Sequence, residues 1–373
     1  MKQVILSIFI LLFSTGCASN QIIDDLAMID TVTYDVSEDE EKPIAVTINF
    51  PTVSGEGTVH YDVLSTNAKS SKDSRMTLSN ETNLEITSGQ LNVAMFGEEL
   101  ARQGIDDILD TFMRDPTLGP RAFFCVTKDK AASFLFQKQK EGPDTSKYIR
   151  TYLEKRTLEK ESLNFTAFQF LRDVSDDGVD PFLPYFIIEE NHISQEGYAL
   201  FKKDKFISSI SPEMSAILFF LRKDVPKGTM SIEIKANEQN DQENIPFPIQ
   251  LVFNYSKSNF DTVLEMKKDQ PISVELNIHL EGSVLEYTGD ELLDEEDVQK
   301  KLEKDVETYF TTKSQEFFTL TQELGVDPLG IGARIRNQLT YDQWKQLNWD
   351  ETYPTIKLKV TPKMEFMNTG QAK

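Results

Sequence analysis

The hydrophobic period of this chain switches at a single glycine, and that switch does most to limit its fold. Residues 90–96 (QLNVAMF) form a short apolar run of strand type that ends at Gly97. From Glu98 the apolar positions become helical, with Leu100, Gly104, Ile108, Leu109 and Phe112 on one face. Asp115-Pro116 and Gly119-Pro120 stop the helix, and residues 122–127 (AFFCVT) resume as a buried strand. The result is a strand–helix–strand unit, whose crossover is right-handed if the strands are parallel neighbours.

The remaining segments extend the same mixture. Residues 31–35 and 44–50 alternate as strands, residues 37–42 (SEDEEK) are a charged loop, and residues 67–74 (NAKSSKDS) predict a polar loop. Residues 145–162 are weakly helical. Residues 181–189 (PFLPYFIIE) predict a strand broken by prolines, hence an edge strand. Residues 198–207 predict a hairpin. Ser211-Pro212-Glu213 opens a helix, with serine as cap and proline at the first position. Strands follow near 229–235, 249–253 and 272–280. Asp294-Glu295-Glu296-Asp297 then opens the longest helix, about 295–324, with Val298, Leu302, Val306, Phe310 and Phe317 as its stripe and Gly325 as its stop. A second helix is expected over 328–347, and residues 355–360 (TIKLKV) close as a strand. The fold class is α+β, two to three small mixed-sheet domains each covered by helices.

The N-terminus reads differently. Residues 4–13 (VILSIFILLF) are too short to span a bilayer and suit the apolar core of a signal peptide. Ser14-Thr15-Gly16 and then Cys17 resemble the bacterial lipobox, with Ser14 where leucine is usual. An ordinary secretory signal with an incidental Cys17 is the simpler alternative. The lipoprotein reading predicts a signal peptide over residues 1–16 and lipidation at Cys17. Diacylglyceryl supplies two chains, enough for a lasting anchor. The rest divides into an N-terminal α/β region, residues 17–205, holding one or two subdomains, and a C-terminal α/β domain, residues 206–373.

Charge narrows the partners. With 39 Lys and Arg against 61 Asp and Glu, the net charge is −22. Such a body repels nucleic acid and an anionic lipid surface alike, so a membrane location requires the anchor. No stretch after the signal peptide is long and apolar enough to span a membrane.

The chemistry-bearing residues are sparse. Cys125 lies within an apolar strand, the usual setting of an inert core thiol. His60, His192 and His279 are far apart and show no zinc-ligand spacing. Glu189 and Glu190 beside His192 suggest acid–base work only by proximity. Asp173, Asp176, Asp177 and Asp180 around Gly178 lack the order of a calcium loop and predict a solvated acidic loop. Gly55-Glu56-Gly57 and Gly330-Ile331-Gly332 do not extend to a phosphate-binding motif, and Trp344 and Trp349 suit packing better than ligand stacking. No enzyme, catalytic residue, metal site or cofactor is expected.

Four segments resemble the Ger(x)C family, the C subunits of the nutrient germinant receptors of spores. They are Cys17 with residues 22–27 and Asp35; residues 88–105, around Gly97-Glu98-Glu99-Leu100-Ala101-Arg102-Gln103-Gly104, with Arg114-Asp115-Pro116 and residues 128–131; residues 197–207 with Ser211; and Asp327-Pro328-Leu329-Gly330-Ile331-Gly332 with Trp344, Trp349, Pro354 and Gly370. Ala18-Ser19 departs from the Trp-Asp that often follows the family's cysteine. The resemblance implies a non-enzymatic lipoprotein on the outer face of the spore inner membrane. It would meet the integral membrane A and B receptor subunits and be required for germination. Among the motif residues only Cys17 carries a defined role, as the lipidation site. The alternative is a lipid-anchored solute-binding protein of a transporter, which needs two lobes, a hinge and a ligand cleft.

Overall fold

The computed structural model describes residues 26–53, 58–136, 145–158, 163–190, 192–222, 228–234, 249–265, 272–289 and 291–368. The chain starts with a short strand β1 (Leu26–Met28), then β2 (Thr31–Val36) and the long hairpin β3 (Ile44–Val53) and β4 (Val59–Ala68). Helix α1 (Ser71–Glu81) follows, then β5 (Glu85–Thr87), paired parallel with β1. This helix overturns the polar loop expected over 67–74. Only Met76 and Leu78 are apolar within it, so no stripe marks it, and its local signal is Ser70, whose hydroxyl caps the Asp73 N–H.

The strand–helix–strand unit is present. β6 (Val93–Gly97) and β7 (Phe123–Thr127) are parallel neighbours. The intervening helix is split into α2 (Glu98–Gln103) and α3 (Asp106–Arg114) by Gly104 at φ 116°. After β7 come α4 (Ala132–Leu135), α5 (Thr145–Leu158) and α6 (Ala167–Ser175), then β8 (Phe182–Glu189) and the hairpin β9 (His192–Lys202) and β10 (Lys205–Ile210). One eight-stranded sheet results, in the order β10-β9-β8-β7-β6-β2-β3-β4. Its central strands are buried on both faces. Ala94, Phe96, Phe124 and Val126 face the larger core, whereas Val93, Met95, Phe123 and Cys125 face a second cluster with Phe134, Ile149 and Leu153.

β8 is therefore an interior strand, not the edge its prolines predict. Pro184 is accommodated because the ladder to β9 shifts between Pro184 and Phe186, while the bridges to β7 start at Tyr185. The division expected between residues 205 and 206 falls inside β10, which pairs with β9 through Ile210.

Helix α7 (Pro212–Phe220) leads to the second sheet. Its strands β11 (Gly228–Ile234), β12 (Ile249–Glu265) and β13 (Ser273–Tyr287) run antiparallel. Helix α8 (Glu296–Leu324), with Gly325 left-handed at its end, crosses this sheet. Phe220 of α7 stacks on Phe310 of α8 at 3.9 Å between ring centroids and so joins the units. The single helix expected over 328–347 is two, α9 (Ile331–Arg336) and α10 (Tyr341–Leu347), because Thr340 starts the second with a capping box to Gln343. After the one-turn α11 (Trp349–Thr352), β14 (Lys357–Asn368) pairs parallel with β13 and forms the sheet edge.

Candidate functional site

The acidic loop around Gly178, residues 327–332 and the two tryptophans converge at the junction of the two sheets. The acidic loop following α6 is not the solvated loop expected of it. The Asp180 N–H donates to the Asp327 carbonyl at 2.9 Å, and the Asp327 N–H donates to Asp180 Oδ2 at 2.7 Å. Asp327 turns its carboxylate onto the start of α9, accepting from the N–H groups of Ile331 (3.1 Å) and Gly332 (2.8 Å). Lys202 Nζ donates to Asp180 Oδ2 at 3.0 Å and pairs with Asp350 at 2.7 Å. Asp176 pairs with Arg336 at 2.5 Å and Asp177 with Lys345 at 3.4 Å. Asp176 and Asp177 are thus spent on α9 and α10, whereas Asp173 pairs locally with Arg172 at 2.7 Å. Arg222 completes the junction, with Nη1 donating to the Pro328 carbonyl at 2.7 Å.

Burial sets the electrostatics. Asp327 is 1% exposed, which pushes its carboxyl up to about 7; nearby Asp180 adds to the rise, while the two N–H donors and Arg334 oppose it. Lys202 loses solvation, but Asp180 and Asp350 outweigh that and raise it. Gly178, at φ +89°, lets the loop lie on α9, where its carbonyl accepts from the Ala333 N–H at 2.8 Å.

A cleft of about 370 Å³ opens here, lined by Asp176, Asp177, Lys202, Trp344, Trp349 and Asp350. Trp344 and Trp349 are tilted 5.9 Å apart and both buried, and Trp349 packs on Tyr353 at 5.5 Å. They anchor the helix ends. Lys202 is paired with two of the lining carboxylates, Asp180 and Asp350, and Lys345 with a third, Asp177. Nothing in the cleft forms a nucleophile, base and orienting group in sequence.

The other motif segments form a second cluster at the C-terminal ends of β2, β6 and β7. Buried Asp35 accepts from the N–H groups of Ala131 (2.7 Å) and Ala132 (2.9 Å), and a Cβ at Gly97 would collide with its Oδ1. Burial raises the Asp35 carboxyl, against the pull of those donors and Lys130. Glu98 accepts from Arg102 Nη2 at 2.7 Å and from the Tyr185 hydroxyl. Phe206 has the Arg102 guanidinium 4.4 Å from its ring centroid and the near-parallel Tyr185 ring 6.0 Å away. Arg102 also donates to the Ile207 carbonyl at 2.9 Å, so the motif holds β10 to α2.

The remaining candidates stay apart. Cys125 is fully buried, and burial pushes its thiol far up. His60 is exposed, while His279 lies 3.9 Å from Glu281 and 3.8 Å from Glu365. Glu189, Glu190 and His192 form the exposed turn between β8 and β9. Among the described residues no group of three His, Cys, Asp or Glu is arranged to hold a metal, and no helix is long and apolar enough to cross a membrane. Cys17, Gly55, Gly57 and Gly370 lie outside the described residues. The pairing of Asp180 with Asp327 went unread in the sequence; its one local trace is an aspartate four residues ahead of the first helical N–H it caps.

Two family models cover nearly the whole chain: the spore germination protein N-terminal domain over residues 19–188, and the spore germination B3/GerAC-like C-terminal domain over residues 196–370. The chain belongs to the Ger(x)C family. The spore germination protein GerQC of Bacillus cereus is 24% identical over 376 residues, 99% of each chain. The putative spore germination protein YfkR of Bacillus subtilis (strain 168) is 22% identical over 382 residues, 96% of this chain and 94% of YfkR. The crystal structure of the GerBC protein superposes with a TM-score of 0.60 at 15% identity, covering 90% of this chain and 97% of GerBC, and so shares the fold. Membership supports a role in spore germination. The Ger(x)C motif segments recognised in the sequence build the two clusters above: residues 97–104 the β2/β6/β7 end, residues 327–332 the junction.

Proposed function

We propose that this chain is the membrane-anchored C subunit of a nutrient germinant receptor, held by diacylglyceryl at Cys17 on the outer face of the spore inner membrane. It acts by contact with the integral membrane A and B subunits and performs no catalysis. The observation that carries this reading is the Asp180–Asp327 junction within a chain that matches the family from residue 19 to residue 370. A solute-binding protein closes two lobes on its ligand and needs a hinge. Here the two sheets are joined by buried, reciprocal hydrogen bonds, and the cleft beside them is crossed by its own ion pairs. That favours a rigid presenting body over a ligand clamp.

The test is genetic and biochemical together. Deleting the gene abolishes the germination response to one class of nutrient and leaves other routes intact, while Cys17→Ala releases the protein from the membrane fraction. Unchanged germination on every nutrient tested counts against the receptor role. A rise in melting temperature with an amino acid or sugar from a panel favours the solute-binding alternative.

A further inference from the structure

The second sheet ends at β14, and helix α8 guards only half of that edge. Lys357 donates its N–H inward, to the Ile272 carbonyl at 2.9 Å. Pairing alternates along a strand, so the amides at 358, 360, 364 and 366 point outward. Two of them are occupied: Met364 N–H donates to Glu307 Oε1 at 3.0 Å and Phe366 N–H to Glu303 Oε1 at 2.9 Å. Pro362, between the two halves, has no N–H to offer. Covering edge amides with side chains is how a protein suppresses unwanted strand pairing.

The cover stops at Pro362. Glu303 and Glu307 belong to a row of α8 spaced four residues apart, and the row continues as Thr311, Gln315, Thr319 and Glu323. Where that row passes Leu358 and Val360, the side chains leave an open groove of about 720 Å³ between helix and strand. Among the described residues no acceptor meets the Leu358 or Val360 N–H. Leu320, Leu358 and Val360 give the groove an apolar floor, and exposed Glu323 and Glu316, the latter shared with Lys313 at 3.0 Å, give it an acidic rim, while Lys359 on the strand side is neutralised by Glu275 at 2.6 Å.

We propose that this groove is a strand-addition site for an extended segment of a partner protein, one that alternates apolar with lysine or arginine side chains. The backbone of the segment pairs with Leu358 and Val360, its apolar side chains rest on the floor, and its basic side chains reach Glu316 and Glu323. A second copy of this chain is a poor occupant, because two bodies of net charge −22 repel. The site is independent of the lipid anchor.

The probe is a synthetic peptide of about eight residues, a common strand length, alternating lysine and valine. Its controls are the same peptide with N-methylated valines and a glutamate–valine version. With the full chain, hydrogen exchange at Leu358 and Val360 slows at least about tenfold with the lysine peptide and is unchanged with either control. Val360→Pro weakens binding about tenfold, a shift of about 1.4 kcal/mol. Thr319→Arg, on the exposed helix face, does the same by filling the groove, and it serves should the proline variant fold poorly. Equal protection by the N-methylated peptide means mere adhesion to an acidic surface and overturns the proposal. So does absence of protection, or a dimer of this chain that already protects these two amides.

Discussion

Gly178 and Gly332 meet backbone to backbone across the junction of the two sheets. A Cβ on Gly178 would lie 2.5 Å from the Gly332 carbonyl carbon, and one on Gly332 would lie 2.7 Å from Gly178 Cα and 2.5 Å from Trp349 Cε2. The approach places the acidic loop against the start of α9, so that Asp180 and Asp327 can exchange hydrogen bonds. By local pattern alone the two glycines belong to a solvated acidic loop and an incomplete phosphate motif.

That contact predicts a large effect from one methyl group. Gly178→Ala combines a left-handed backbone with a collision against backbone, and should cost about 3 kcal/mol or more. Gly325→Ala is the comparison, since Gly325 is also left-handed, at φ +67°, but meets nothing within 4 Å. It should cost only about 1–2 kcal/mol of backbone strain. Urea unfolding of the two variants decides the point; equal losses would show that the close approach contributes nothing.

Asp327 predicts a pH dependence. Its carboxyl is pushed up to about 7 by burial, with Asp180 adding to the rise and Arg334 opposing it, while the Tyr353 hydroxyl is itself raised by burial and by Asp327. Between about pH 4 and 7 the folded chain keeps a proton that the unfolded chain gives up. The contribution of this group to stability is therefore greatest below about pH 4 and falls as pH rises through about 7. Asp327→Asn, neutral throughout, should gain stability relative to the parent between pH 5 and pH 8, as read from urea midpoints. A constant difference over that interval rules the idea out.

Asp115 has the opposite sign. Although burial opposes its charge, bonds from Thr117 and Arg75 hold its carboxyl well below the usual range. Its stabilising contribution is present above the ordinary carboxylate range and is lost only in stronger acid. Arg75→Ala removes the guanidinium and leaves this buried carboxylate to Thr117 and Lys72, and should cost about 1.5–3 kcal/mol near neutrality. The deficit should shrink toward pH 3; a deficit that stays the same in acid would assign it to lost packing.

Cys125 should be inert. Its thiol is wholly buried in the cluster beneath α4 and α5, and burial pushes it far from ionisation. Iodoacetamide should leave the peptide carrying Cys125 unmodified in the native protein and alkylate it in urea, as followed by mass spectrometry. Rapid native labelling would place Cys125 at an accessible site.

Part of this architecture was legible in local pattern. The strand–helix–strand unit at Gly97, the long helix opened by acids and closed by Gly325, and the core setting of Cys125 follow from periodicity and caps. These signals record which face of one element is buried and which N–H or carbonyl lacks a partner, and both are encoded within a few residues. The motif segments also placed the chain in its family without a three-dimensional comparison.

The rest was decided by distance in sequence. Pro184 lies in an interior strand because the β8–β9 ladder shifts beside it, and α1 forms with hardly an apolar face, packing beside β4 and burying Ser71, Ser74 and Leu78. The partner of Asp180 stands 147 residues away, at Asp327, and the acids that cover β14 stand on a helix some 60 residues before it. No local propensity contains such pairings. An aspartate in a polar stretch looks the same whether it meets water or a buried amide, and only the packed chain, by excluding the water, makes them different.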